Sequence, residues 1–353
     1  MNHFLIYGAT GYSGALIARV AVRRGLQPIL AGRNRAAVVA LADELHLQAR
    51  VFALDQPSDL DAGLQGVKAV LHCAGPFAHT YRAMADACLR TRTHYLDITG
   101  EIAVFEGLAA RDAEAQAAGV MLQPGVGFDV VPSDCLAAHL KRRLPTATHL
   151  ALGMHTVGGL SRGTATTIAE NLQRGGAVRR DGRIVPVPAA YRTRVIDFGD
   201  GPRKAITIPW GDVSTAYHST GIPNVEVYMA AGWGQRVAAR LSRYARPLLG
   251  SAWMQARLKQ RIRNGPPGPS PEQRANGKTC LWGEATDIAG RRVVSRQFGP
   301  EGYTLTALAA LLVVERVLAG EAPPGFQTPA KAYGPDLVLA IPDVRREDED
   351  ARD

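Results

Sequence analysis

Short apolar runs alternate with stretches of helical periodicity through the first 140 residues. Runs at 3–7, 27–31, 49–53, 68–74, 93–97 and 119–123 predict strands, and helices are predicted to begin near 12, 34, 57, 79, 101 and 133. Such alternation predicts an α/β fold with a doubly wound parallel sheet over residues 1–145. The pattern changes after Pro145. Residues 146–302 read as strand-like runs with Gly and Pro punctuation, among them Leu150–Thr156, Lys204–Ile208, Val225–Met229 and 278–298, with a helix-like insertion at Thr164–Leu172. This predicts a second, mixed α/β domain rich in antiparallel strands. The apolar helix 303–320 is predicted to return to the first domain. The tail 342–353 is almost entirely charged and is predicted to be disordered.

The polar positions that interrupt this pattern carry the chemistry. Behind the run Phe4–Tyr7 stand Gly8, Thr10, Gly11, Tyr12, Ser13 and Gly14, opening the first helix. A strand, three spaced glycines and a helix make a Rossmann-type phosphate cradle. The first glycine permits the turn, the second admits a pyrophosphate to the backbone, and the third lets helix pack on strand. The second run ends in Gly32, Arg33 and Asn34, where an NAD enzyme would place a carboxylate for the ribose hydroxyl. A guanidinium there suits a 2′-phosphate, so NADP(H) is the expected cofactor. Asp55 is taken as a further cofactor-side residue. Ala74, Gly75, Pro76 and Phe77 after the fourth run are expected against the nicotinamide half.

Ligands in such sheets sit beyond the carboxyl ends of the strands, which makes Asp97 and Asp129 candidates for the catalytic region. Both could equally be structural, and Glu101 reads more readily as a helix cap. Proton donors in the second domain are Tyr217 and His218, read as part of a strand, with Tyr303 as another candidate. No tyrosine is followed four residues on by lysine, which removes the short-chain dehydrogenase pair. Val126 stands where a thioester-forming reductase could place its nucleophilic cysteine.

Composition adds three points. The content is 46% apolar and 21% charged, as for an ordinary folded protein. The four cysteines form no Cys-x-x-Cys, and the first strand begins at once, which predicts a reducing, cytoplasmic location, no leader and no metal site. The net charge of +9 is uneven: residues 233–263 hold eight Arg or Lys and no Asp or Glu. Apolar residues interleave at helical spacing. The segment reads either as a basic amphipathic element for an anionic membrane surface or acidic carrier protein, or as helices whose apolar stripe is core. No nucleic-acid motif accompanies the charge. Oligomeric state stays open, a homodimer included.

Taken together, Gly8–Gly14 with Ala31–Asn34, Cys73–Phe77, His94–Glu101 and Pro124–Asp134 resemble the saccharopine dehydrogenase-like family. Ser161–Thr166, Gly268–Arg274 and Gly302–Ala307 look like its branch containing trans-acting enoyl reductases. The resemblance implies an NADP-binding domain and reduction of a carbon–carbon double bond on a small-molecule or carrier-bound acyl substrate. Two alternatives remain: a saccharopine-type dehydrogenase acting on C–N bonds, whose substrate carboxylates would need cations such as Arg162, Arg174, Arg192 and Arg194, and a non-catalytic NADPH-binding scaffold at a membrane.

Overall fold

The computed structural model describes residues 3–171, 175–242, 244–245 and 249–349. The chain divides into two compact units. The first joins the segment up to Val131 with Tyr303–Ala332, and the second holds Pro132–Gly302 and the residues from Tyr333.

The first unit is built on a seven-stranded sheet. With strands numbered in chain order, these are β1 (Phe4–Tyr7), β2 (Ile29–Gly32), β3 (Ala49–Val51), β4 (Ala69–His72), β5 (His94–Asp97), β6 (Met121–Gln123) and β15 (Gly325–Phe326). Their spatial order is β15-β6-β5-β4-β1-β2-β3, and every pairing is parallel. Every residue of β1, β2 and β4 is buried, as expected of strands covered on both faces. Leu5, Tyr7, Val70, Tyr95 and Leu122 share one core with Met84, Leu108 and Phe326. Winding reverses between β1 and β4, which opens the crevice where such sheets take ligands. The helix Gly302–Leu318 belongs to this unit, and Lys68 Nζ donates to its terminal carbonyl at Leu318 (2.9 Å).

The second unit carries a nine-stranded mixed sheet. Its path runs β10 (Thr193–Asp197), β11 (Pro202–Thr207), β12 (Asn224–Ala230), β7 (His149–Val157), β13 (Lys278–Thr286), β14 (Arg292–Pro300) and β16 (Arg345–Glu349). Strands β8 (Gly176–Arg180) and β9 (Arg183–Val187) form a hairpin beside β12. Among the described strands of this sheet, β12 and β7 pair in parallel and the other pairs are antiparallel. Ile196, Phe198, Tyr228, Trp282 and Val294 fill the core on one face.

Three expectations change. The boundary falls at Val131/Pro132 rather than near 145, because the helix Val131–Arg143 packs on this second sheet. Leu136 and Leu140 lie over Gly283, and Arg143 donates to the Val294 carbonyl. The charged tail is not disordered: Arg345–Glu349 form the edge strand β16, while 350–353 lie outside the described residues. Asp348 accepts from Ser295 Oγ (2.6 Å) and meets His139 and Arg143, and Arg346 reaches Asp336 and the Pro335 carbonyl. Tyr217 and His218 stand on the helix Asp212–Thr220, not in a strand.

Among the described residues, the basic segment includes the helices Trp233–Leu241 and Ala252–Asn264. Arg174, Arg243, Arg246 and Leu248 lie outside the described residues.

Candidate functional site

The site begins where β1 ends. Gly8 adopts φ +80°, and a Cβ there would stand 2.8 Å from the Ala74 nitrogen, so the loops after β1 and β4 touch at a residue that must lack a side chain. A Cβ on Gly14 would lie 2.4 Å from the Gly8 carbonyl oxygen. The N–H groups of Gly8 and Ala9 both donate to the Ala31 carbonyl (2.9 and 3.1 Å), which pins the turn to β2. Gly11 is the N-cap of the helix Tyr12–Arg23 and offers no side chain to cover its first turn. Thr10 is exposed and Ser13 half-buried at this edge. The result is the backbone cradle that a pyrophosphate needs, on a helix terminus that favours anions.

The next two loops set the charge beside it. Gly32 ends β2 and Arg33 follows it, exposed. Asn34 accepts from the Ala37 N–H (3.2 Å) and caps the helix Arg35–Leu45, so its side chain is structural. Asp55, also exposed, follows β3. The charges of Arg33 and Asp55 both act on the hydroxyl of Tyr7, whose pKa burial raises. One cation and one carboxylate therefore share the corner beyond β1–β3. Arg33→Ala is expected to weaken NADPH binding by about 1.5–3 kcal/mol, the worth of a hydrogen bond to a charged group. NADH binding should hardly change. Equal losses in calorimetric titrations with the two nucleotides would remove Arg33 from the 2′-phosphate.

The loop Ala74–Phe77 is held in place by neighbours the sequence did not single out. Thr80 Oγ1 donates to the Ala74 carbonyl (2.8 Å) and also contacts His72 Nε2 (2.9 Å). The Phe77 ring meets the His72 ring edge-on, centroids 5.5 Å apart. Burial lowers the His72 pKa to about 3, so this imidazole is neutral, and its Nδ1 has no hydrogen-bond partner. Its one advance signal is a titratable residue closing an otherwise apolar run. Glu101 stands at the N-cap of its own helix but does not cap it. Its carboxylate instead accepts from the N–H groups of Phe77 (2.7 Å) and Ala78 (3.3 Å), tying the β5 loop to the β4 loop.

Asp97 ends β5 fully buried. Its Oδ1 accepts from the N–H groups of Thr99 and Gly125 (2.9 Å each), and its Oδ2 from the Tyr95 hydroxyl (2.6 Å). Burial raises its pKa to about 6 against the pull of these bonds. With both oxygens engaged, Asp97 organises the β5 and β6 loops.

Asp129 is different. It lies in the loop after β6 with its carboxyl against Gly100, where a Cβ would come within 2.7 Å of Oδ2. Its Oδ1 is buried without a hydrogen-bond partner, and burial raises its pKa to about 7. Tyr303 packs edge-on against Tyr12, ring centroids 5.0 Å apart. In the second unit, Tyr217 lies beneath the Arg179 guanidinium (4.4 Å) and beside His218. Burial pushes the thiols of Cys73, Cys88 and Cys135 well above their ordinary range, which suits packing rather than nucleophilic attack. Among the described residues no cluster of His, Cys, Asp and Glu could hold a metal ion, and no helix is long and apolar enough to cross a membrane.

Known proteins resemble the chain in sequence and in fold. Residues 4–122 match the model of the saccharopine dehydrogenase NADP binding domain. A trans-acting enoyl reductase of Mycobacterium ulcerans is 27% identical over 204 residues, covering 54% of this chain and 49% of that protein. One from Mycobacterium leprae is 34% identical over 148 residues, covering 40% and 35%. These matches thus span half or less of those relatives. A third, from Mycobacterium tuberculosis and provisionally given the same name, is 25% identical over 407 aligned positions, covering 96% and 94%. Saccharopine dehydrogenase (L-Glu forming) from Saccharomyces cerevisiae shares the fold, with TM-score 0.67 and 12% identity over 99% of this chain and all of that one. Over residues 4–122 the chain is therefore similar to the saccharopine dehydrogenase NADP binding domain, which makes NADP(H) its cofactor.

Proposed function

We propose that this chain uses NADPH to reduce the carbon–carbon double bond of an acyl substrate, small or carrier-bound, with the Asp129 carboxyl supplying the proton. The glycine turn and Arg33 fit the cofactor, which when bound supplies a hydride. Reduction of a polarised double bond then needs one proton at the neighbouring carbon. Asp129 is the observation that carries the reading: a buried carboxyl with a free oxygen, raised to about 7, is about half protonated at neutral pH and can donate its proton there. The relatives named as enoyl reductases support the substrate class.

The C–N dehydrogenase reading needs unpaired cations for several substrate carboxylates. The described arginines nominated for that task are already engaged. Arg162 donates to the Gly265 carbonyl, Arg192 pairs with Glu226, and Arg194 pairs with Glu284 over the Trp282 ring.

The test is NADPH oxidation with an enoyl thioester. Asp129→Asn is expected to lower kcat roughly 10²–10⁴-fold, the usual worth of a general acid. Wild-type kcat should fall as pH rises through about 7, where the carboxyl loses its proton, and the variant should lack that limb. Stability moves with the same group. Between pH 3.8 and about 7 the folded chain holds a proton that the unfolded chain releases, so stability falls as pH rises across that window, and Asp129→Asn should flatten the fall. Turnover only with an amine and a keto acid, or an unchanged kcat in the variant, would refute the proposal.

A further inference from the structure

The basic segment of the second unit leaves part of its apolar surface in water. On the helix Trp233–Leu241, Trp233, Val237 and Leu241 recur at i, i+4 and i+8, and so lie on one face. No residue of this helix is buried; Trp233 is 74% and Leu241 61% exposed. Arg236 donates to the Ala231 carbonyl just ahead of the helix, and Arg240 to Thr193 Oγ1. The second helix divides its faces differently. Met254, Leu258 and Ile262 are half-buried on the side that packs on the helix Arg162–Asn171. Gln255 donates to the Ala169 carbonyl and Lys259 pairs with Glu170 on that side. The outward side presents Trp253, 61% exposed with Arg257 over its ring, together with Arg261 and Arg263. Tyr244, between the helices, is 86% exposed.

A folded protein gains nothing by leaving two tryptophans, a tyrosine and a leucine in water within about twenty residues. Exposed Trp and Tyr among arginines, with no acidic residue from 233 to 263, match the requirements of a bilayer interface. The aromatic rings sit at headgroup depth and the cations meet anionic lipid. We propose that the helices Trp233–Leu241 and Ala252–Asn264 form a peripheral docking surface for anionic lipid bilayers, with Trp233, Leu241 and Trp253 entering the interface and Arg257, Arg261 and Arg263 contacting headgroups. This inference stands apart from the identity of the reaction.

The test is co-sedimentation of the full chain with vesicles of phosphatidylcholine alone or mixed with phosphatidylglycerol. Binding is expected only to the anionic vesicles, and to fall with added salt. Arg257→Glu, Arg261→Glu and Arg263→Glu together should lower partitioning roughly 100-fold or more, at about one kcal/mol per cation near a charged membrane. Trp233→Ser with Leu241→Ser should lower it roughly tenfold at unchanged charge. Both variants alter exposed side chains and should keep NADPH affinity and melting temperature, which separates lost docking from lost folding. Equal binding to neutral vesicles, no vesicle binding, or binding indifferent to both variants would overturn the proposal. So would capture of an acidic acyl carrier protein by a chain that ignores vesicles, or a solution dimer that Trp233→Ser with Leu241→Ser dissolves.

Discussion

Gly14→Ala is expected to lose NADPH affinity by roughly ten- to hundredfold while the chain remains folded. The added Cβ would lie 2.4 Å from the Gly8 carbonyl oxygen and 3.0 Å from the Ala9 Cα. Neither neighbour is a side-chain tip that could swing away, so the backbone turn itself must shift. Relieving such overpacking costs about 1–3 kcal/mol, and here the strain falls on the turn proposed to cradle the phosphates. Gly25→Ala is a suitable comparison: Gly25, unlike Gly14, has positive φ (+76°), and nothing lies within 4 Å of its would-be Cβ. That variant should show backbone strain without loss of the nucleotide. Calorimetric titration with NADPH and a thermal melt of each variant decide the matter. Wild-type affinity in Gly14→Ala would mean that the glycine turn does not hold the cofactor.

Asp97→Ala is expected to produce the largest stability loss of any single change at the site. Three donors converge on this carboxylate: the N–H groups of Thr99 and Gly125 and the Tyr95 hydroxyl. Each buried donor left without an acceptor costs about 1–3 kcal/mol, so the loss should be roughly 3 kcal/mol or more. In a chain of this length that corresponds to about 4 °C or more in Tm. Asp97→Asn retains an acceptor oxygen for the two backbone donors and should lose less. A Tm within one degree of wild type for Asp97→Ala would show that the network does not hold the β5 and β6 loops together. The two aspartates separate on this measurement, because Asp129 has no hydrogen-bond partner at Oδ1 to forfeit.

The first unit was largely legible from the sequence because its strands are buried on both faces. Runs such as Phe4–Tyr7 and Ala69–His72 are continuous and apolar, and glycine or proline follows closely. The seventh strand was not legible, since Gly325–Phe326 is only two residues long and lies some 200 residues from its partner β6. The edge strand β16 was hidden for a different reason. Arg345–Glu349 has a charge at every position, and its pairing is underwritten by groups distant in the chain: His139, Arg143, Ser295 and Phe298. Composition alone reads such a segment as tail. Tyr217 and His218 were misplaced because the β-branched and hydroxylated residues around them favour strand locally, while the structure forms a helix closed by Gly221 at φ +69°. Within the site, glycine spacing marked the cradle, but no local signal revealed that Glu101 would grip the Phe77 and Ala78 amides, or that Tyr95 would bind Asp97.

The interrupted first unit has a consequence for biosynthesis. Once Gln123 has left the ribosome, the open flank of β6 waits for Gly325–Phe326, and every residue of the second sheet except β16 is translated in between. At ordinary elongation rates that interval is roughly ten to forty seconds. For that time the nascent chain displays an unpaired parallel strand, the kind of surface on which neighbouring polypeptides add themselves. Holdase protection is therefore most needed in that window, and deletions that remove Gly325–Phe326 should make the newly made protein aggregate.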